Sequence, residues 1–258
     1  MATIAGQARL PAAGDNGFFL RAAIAMVLVI VAGFSLQLAM GRSSFAAPLL
    51  VHAHAFVFMG WVAIYLAQNA LVASGNLALH RRLGWLAAVW MVPMLGLGVA
   101  VTLALVQGGR VPFFFRPLQF LVFDPLSLFT FVGLSGAAIV LRRRTDWHRR
   151  LHFCGMATLL GPGFGRLMPM PLLIPWAFEA TFVATLLFPI AGVIADWRRT
   201  GRVHPAWGRG IAAMVAMLVA IELVTYSPVG TALYGAITAG TPGAAVAPLA
   251  FPLPPRAR

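Results

Sequence analysis

Six ionisable side chains stand inside otherwise apolar stretches of this sequence: His52, His54, Asp124, Arg166, Glu179 and Glu222. Within a bilayer such groups are costly, and they pair with one another or line ion and substrate paths. His54, Asp124, Glu179 and Glu222 supply imidazole and carboxylate, ligand types that suit zinc, iron or manganese. They form the candidate metal set. His52 and His54 are two residues apart, so on a helix they diverge by about 200°. One faces inward and the other an interface; the spacing discussed below favours His54 as the inward residue. Arg166 and His52 are then candidates for a ligand-binding or packing network. If it is a packing network, Arg166 is its expected ion-pair centre.

A second group comprises His80, His148, His152 and His204, each close to clustered Arg. His148 and His152 are four apart and share a helical face. A b-type haem takes axial imidazoles on its two faces, and neighbouring Arg suit its propionates. The same row of basic residues equally suits anionic lipid phosphates. Asp124 precedes Pro125, and a helix break beside an acid is a common way to build an ion site. Gly161-Pro162-Gly163-Phe164-Gly165 predicts a second break, because glycine and proline are poor helix formers. Cys154 is the single cysteine, which excludes an intrachain disulfide. Nucleotide loops, the Gly-x-Ser-x-Gly elbow and His-Glu-x-x-His are absent from the sequence.

The elements that hold these residues follow from composition. Hydrophobic residues make up 60% of the 258, charged ones 10%, and the mean hydropathy is +0.88. Soluble domains carry roughly 25% charged residues. Apolar runs of about 20 residues, enough to span a bilayer, cover 18–40, 49–73, 83–107, 117–141, 151–168, 172–195 and 210–228. The expected fold is all-α: an integral membrane bundle of about seven transmembrane helices. Residues 1–17 read as a mobile N-terminal segment, 18–228 as the transmembrane domain, and 229–258 as a Gly/Pro/Ala-rich tail over the outer surface.

All 19 basic residues are Arg. Without Lys there is no amine for a retinal Schiff base. The net charge of +13 does not imply nucleic acid, because the Arg lie in short loops between apolar runs. With the N-terminus inside, 13 Arg fall inside and 6 outside, the arrangement the positive-inside rule favours. That implies a bacterial inner membrane, a cytoplasmic N-terminus, a C-terminus on the other side, and anionic lipids as partners at the cytoplasmic face. Oligomeric state is not encoded in any pattern here.

His-Arg-Arg-Leu occurs at His80–Leu83 and again at His148–Leu151, with a looser Arg202-Val203-His204-Pro205 later. His54, Asp124 and Glu179 precede these three loop His by 26, 24 and 25 residues. The chain therefore reads as one leading helix plus three similar helix pairs, with the three residues at one depth.

Val51-His52-Ala53-His54, Leu79-His80-Arg81-Arg82-Leu83-Gly84, Asp124, His148-Arg149-Arg150-Leu151 and Arg202-Val203-His204-Pro205-Ala206 together resemble a group of uncharacterised polytopic membrane proteins of bacteria. The resemblance covers most of 45–210 and implies the membrane architecture. A weaker likeness is to seven-helix hydrolases of the ceramidase and adiponectin-receptor type, which place several His with Asp and Ser at a membrane face; their late-helix His motif is missing here. Three functional expectations follow. The first is a membrane protein that binds a divalent metal, a b-type haem or a small ligand through the outer His/Asp/Glu set. The second is a small-molecule or proton-coupled transporter. The third is a metal-dependent intramembrane hydrolase, so enzymatic activity stays open.

Overall fold

The computed structural model describes residues 13–43 and 45–254. Nine α-helices and two short 3-10 turns occur among the described residues, and no strand. They are α1 (Ala13–Ala39), α2 (Leu49–Ala73), α3 (Leu77–Gln107), α4 (Pro117–Val140), α5 (Thr145–Thr158), α6 (Gly161–Leu167), α7 (Ala177–Thr200), α8 (Pro205–Thr225) and α9 (Pro228–Thr238). Six of them, α1, α2, α3, α4, α7 and α8, are long and apolar enough to cross a membrane. Their exposed faces carry large apolar side chains at helical spacing, such as Trp85, Val89 and Val92 on α3 and Val183, Leu187, Ile190 and Ile194 on α7. Water disfavours such stripes and lipid does not. The chain is a multi-pass, membrane-type helical bundle.

Three expectations about the elements need correction. The fifth apolar run is not one span: it is α5 followed by α6, and neither reaches the length of a crossing. The Gly-Pro-Gly-Phe-Gly stretch is itself helical, and the interruption falls at Leu159 and Leu160. Tertiary packing overrides propensity here, because α6 lies against α1. A Cβ on Gly33 would stand 2.6 Å from the Gly163 carbonyl, and one on Gly163 would stand 3.2 Å from the Val29 carbonyl. Only glycine permits so close an approach of two backbones. Finally, α4 runs without interruption through Pro125, as α3 does through Pro93 and α7 through Pro189.

Most of the expected N-terminal segment lies outside the described residues, as do Arg9, Arg256 and Arg258. Helix α1 already begins at Ala13. Helix α4 is the most enclosed, with neighbours α3, α5 and α8. Phe131, Leu118 and Ala138 on it are fully buried. Cys154 of α5 is also fully buried and faces Gly210 of α8, where a larger residue would collide with its sulfur.

Glycine at positive φ closes α7 at Gly201 (φ 68°), the usual device for a helix C-terminus. Ser227 caps α9 by accepting from the Gly230 N–H at 3.0 Å. Beyond α9 the chain folds back over the ends of α3 and α4. Gln107 donates to the Ile237 carbonyl at 3.2 Å, and the Leu118 N–H donates to the Pro248 carbonyl at 2.9 Å. The Tyr234 hydroxyl, 4% exposed, reaches the Gly243 and Val246 carbonyls at 3.1 and 3.2 Å. Tyr234→Phe should therefore lower stability by about 1 kcal/mol, read as a lower melting temperature in detergent with helicity at 20 °C unchanged. An unaltered melt would mean that the tail is held by its apolar contacts alone.

Candidate functional site

Six acids occur in the sequence, and the bundle sorts them by end. Asp15, Asp146 and Asp196 lie at the Arg-rich end, and each is ion-paired. Asp196, 2% exposed, receives Arg150 through Nε and Nη2 at 2.9 and 2.8 Å. It also accepts from Trp207 Nε1 at 2.8 Å and from Arg199 at 2.8 Å. Arg199 continues to Asp15 at 2.5 Å, and Arg149 bridges Asp15 and Asp146. One connected network thus ties α1, α5, α7 and α8 together. The fork of an Arg guanidinium matches a carboxylate in this two-bond geometry. Trp207 lies parallel to Phe19 and meets Phe153 edge to face, with ring centroids 6.2 and 5.1 Å away.

At the opposite end the pattern reverses. Asp124, Glu179 and Glu222 enter no ion pair among the described residues. Among the described residues Asp124 accepts only from the Thr102 hydroxyl of α3, at 3.3 Å. Glu179 of α7 and Glu222 of α8 converge on one donor, the Gln119 amide of α4, at 3.4 and 3.1 Å. Gln119 is 2% exposed, and the second Glu179 oxygen is buried without a hydrogen-bond partner. Arg166 and Arg116 act on Asp124 and Glu222 electrostatically, but their direct contacts are with other groups. Arg166 donates to the Pro162 carbonyl at 2.8 Å and lies 4.0 Å over the Phe34 ring. Arg116 lies over Phe251 and Tyr226, at 4.6 and 5.8 Å. Among the described residues Arg166 makes no direct ion pair, although Asp124 is a charged neighbour, and the direct ion pairs gather at the other end, around Asp196.

The four residues of the candidate metal set do not converge. Gln119 and Asp124 are five apart on α4, which separates their directions by about 140°. Asp124 consequently faces α3, while Gln119 gathers the glutamates of α7 and α8. His54 stacks on Phe58 of its own helix at 4.1 Å and hydrogen-bonds to neither acid group. His52 is exposed, its Nε2 3.1 Å from the Phe45 carbonyl. Among the described residues no group of three or more His, Cys, Asp or Glu is arranged to hold a metal ion.

Of the four loop histidines, three come together. His80 of α3 meets His148 of α5 edge to face at 6.2 Å, and His148 meets His152 at 4.8 Å. His148 Nδ1 is fixed 2.8 Å from the Ala138 carbonyl. His204 stands apart, against Trp147 at 5.3 Å. Its Nδ1 caps α8 by accepting from the Ala206 N–H at 3.2 Å, which requires an unprotonated nitrogen. Burial, aided by Arg150, holds its pKa below the ordinary value of 6.5. Because the folded value is the lower one, the unfolded chain takes up the proton first as pH falls. The cap's contribution is complete above 6.5 and declines below it. His204→Asn keeps a capping side chain without titrating. It should flatten the acid side of the melting-temperature profile between about pH 5 and 7; parallel profiles for the two proteins would refute this.

The sequence reading missed Asp15, Asp146, Asp196, Trp207, Gln119 and Thr102. The available signals were three Asp among many Arg, and one amide inside the apolar stretch that opens α4. The repeated His-Arg-Arg-Leu also proves unequal: Arg149 and Arg150 join the network, whereas Arg81 and Arg82 are exposed and enter no ion pair among the described residues. Comparison with protein-family models, curated proteins and solved structures finds no match for this chain.

Proposed function

We propose that the protein is a proton-translocating membrane carrier whose working residues are Asp124, Glu179 and Glu222. One observation carries this reading. The three acids at the Arg-rich end are ion-paired to Arg, whereas among the described residues the three at the other end accept hydrogen bonds from neutral donors only, with Arg166 and Arg116 acting on Asp124 and Glu222 from beyond ion-pair distance. A buried charge without a partner is expensive, and unpaired acids within spans are characteristic of proton relays. None of these carboxyls is committed to an ion pair among the described residues. The Glu179–Gln119–Glu222 bridge joins three helices, so a change of charge there bears on how α4, α7 and α8 sit together.

The topology belongs to the same proposal. Helices α5 and α6 jointly make a seventh, interrupted crossing, which gives one leading helix and three pairs. The Arg-rich end faces the cytoplasm of a bacterial cell, with the inner membrane as location and anionic lipids as neighbours. The sequence likeness to polytopic bacterial proteins agrees with this placement.

Reconstitution into liposomes containing a pH-sensitive dye tests the function. The wild type should move protons down an imposed gradient, and Asp124→Asn and Glu222→Gln should each slow that movement by about tenfold or more, the lower range for loss of one positioned proton-transfer group. Wild-type rates in both variants would eliminate the proposal. Metal analysis and a visible spectrum of the purified protein decide the cofactor alternative: stoichiometric metal or a haem band would replace the carrier reading.

A further inference from the structure

A groove of about 470 Å³ opens between α1 and α7 at the Arg-rich end. Its floor is apolar: Phe18 on α1 and Ala191, Ile194 and Ala195 on α7. The last three continue to Arg198 at a helical spacing that keeps one face in line. Three Arg border the groove, Arg21 from α1 and Arg198 and Arg199 from α7. Arg199 is committed to Asp15 and Asp196, and this bridge closes the groove at its polar end. Arg21 and Arg198 are different. Both are exposed, and neither has an ion pair or a hydrogen bond among the described residues.

Arg21 is the more telling. It lies inside the apolar span that starts at Asp15, about 9 Å further along the helix at 1.5 Å per residue. An Arg at that depth needs an anion or must stretch to the interface. The nearby carboxylates are already neutralised by Arg149, Arg150 and Arg199, so they neither satisfy Arg21 nor repel an incoming anion. An apolar trough about two turns long leads to two free guanidiniums. That combination fits a molecule with a hydrocarbon chain attached to a phosphate diester.

We infer that this groove is a binding site for one anionic phospholipid, with an acyl chain along Ala191 and Ile194 and the headgroup phosphate between Arg21 and Arg198. Basic pockets between helices bind such headgroups elsewhere, and guanidinium matches phosphate geometry through paired hydrogen bonds. The site is independent of the acids at the opposite end, so it stands or falls separately from proton movement.

The test uses the full-length protein in neutral detergent, titrated with phosphatidylglycerol or phosphatidylcholine and read by native mass spectrometry. The wild type should retain one phosphatidylglycerol at least about tenfold more tightly than phosphatidylcholine, the scale expected for two Arg near a lipid phosphate. Arg21→Gln with Arg198→Gln should remove that preference, while Arg143→Gln with Arg144→Gln, which do not line the groove, should preserve it. Both Arg in the first pair are exposed and unpaired, so the melting temperature is expected to hold; a lipid-photocrosslinking arm reads occupancy in any case. Equal preference in wild type and the groove variant overturns the inference. Loss in the remote variant as well shows a diffuse charge effect and overturns it too. Full competition by inorganic phosphate alone would assign the Arg pair to a free anion instead of a lipid.

Discussion

Replacing Asp196 by Ala should cost about 3–5 kcal/mol of stability, the range for breaking a buried ion pair from one side. The substitution leaves Arg150, 5% exposed, with its Nε and Nη2 unpartnered in a low-dielectric setting. It also strips the acceptor from the Trp207 indole, which is fully buried. Arg199 loses one of its two carboxylates, which loosens the link from α7 through Asp15 to α1. Unfolding in a graded denaturing detergent, followed by circular dichroism, measures the effect. Asp196→Asn should be milder, because the amide oxygen still accepts one bond and the side-chain volume is kept. Arg149→Gln acts nearer the surface, at 17% side-chain exposure, and should cost about 1 kcal/mol or less. A loss for Asp196→Ala as small as that of Arg149→Gln would show that the network is a surface ornament and not the tie among four helices.

Gly33→Ala should destabilise by about 1–3 kcal/mol through overpacking, although Ala is the better helix former by about 1 kcal/mol. The added methyl would stand 2.6 Å from the Gly163 carbonyl. That atom is backbone, so no rotamer change relieves the contact; α6 must move away from α1. The Gln37 bond to the Arg166 carbonyl, at 3.1 Å, spans the same interface and would be stretched. Gly136→Ala is the matched control. It lies in the interior of α4, and a Cβ there meets nothing within 4 Å. The same change should therefore be neutral or mildly stabilising. Opposite signs for the two variants identify backbone approach as the cause. Equal effects would mean that helix propensity alone governs both sites and that α6 does not press on α1.

The apolar runs made the membrane class and six of the crossing helices legible, since length and hydropathy are local properties. The break between α5 and α6 was misplaced because local propensity marked Gly161–Gly165, while the outcome was decided by α1, more than 120 residues earlier in the chain. Residue depth could be counted from the loops, and that count singled out His54, Asp124 and Glu179; Glu222 stood out only as an acid within an apolar run. Direction around the helix axis was the missing quantity. Asp124 and Gln119 diverge on α4, so a common depth did not become a common site. The Arg150–Asp196 pair, 46 residues apart, has no sequence signature beyond a scarce acid among abundant Arg.

The setting of Cys154 has a practical outcome. Its thiol is sealed within the protein and faces Gly210, so water-soluble maleimides should leave the wild-type chain unmarked. A single cysteine introduced at Arg143, and another at Ala239, would then report on the two ends of the bundle against a silent background. Labelling intact cells against opened ones with such reagents would determine directly which end meets the cytoplasm, with no need to delete the native thiol first.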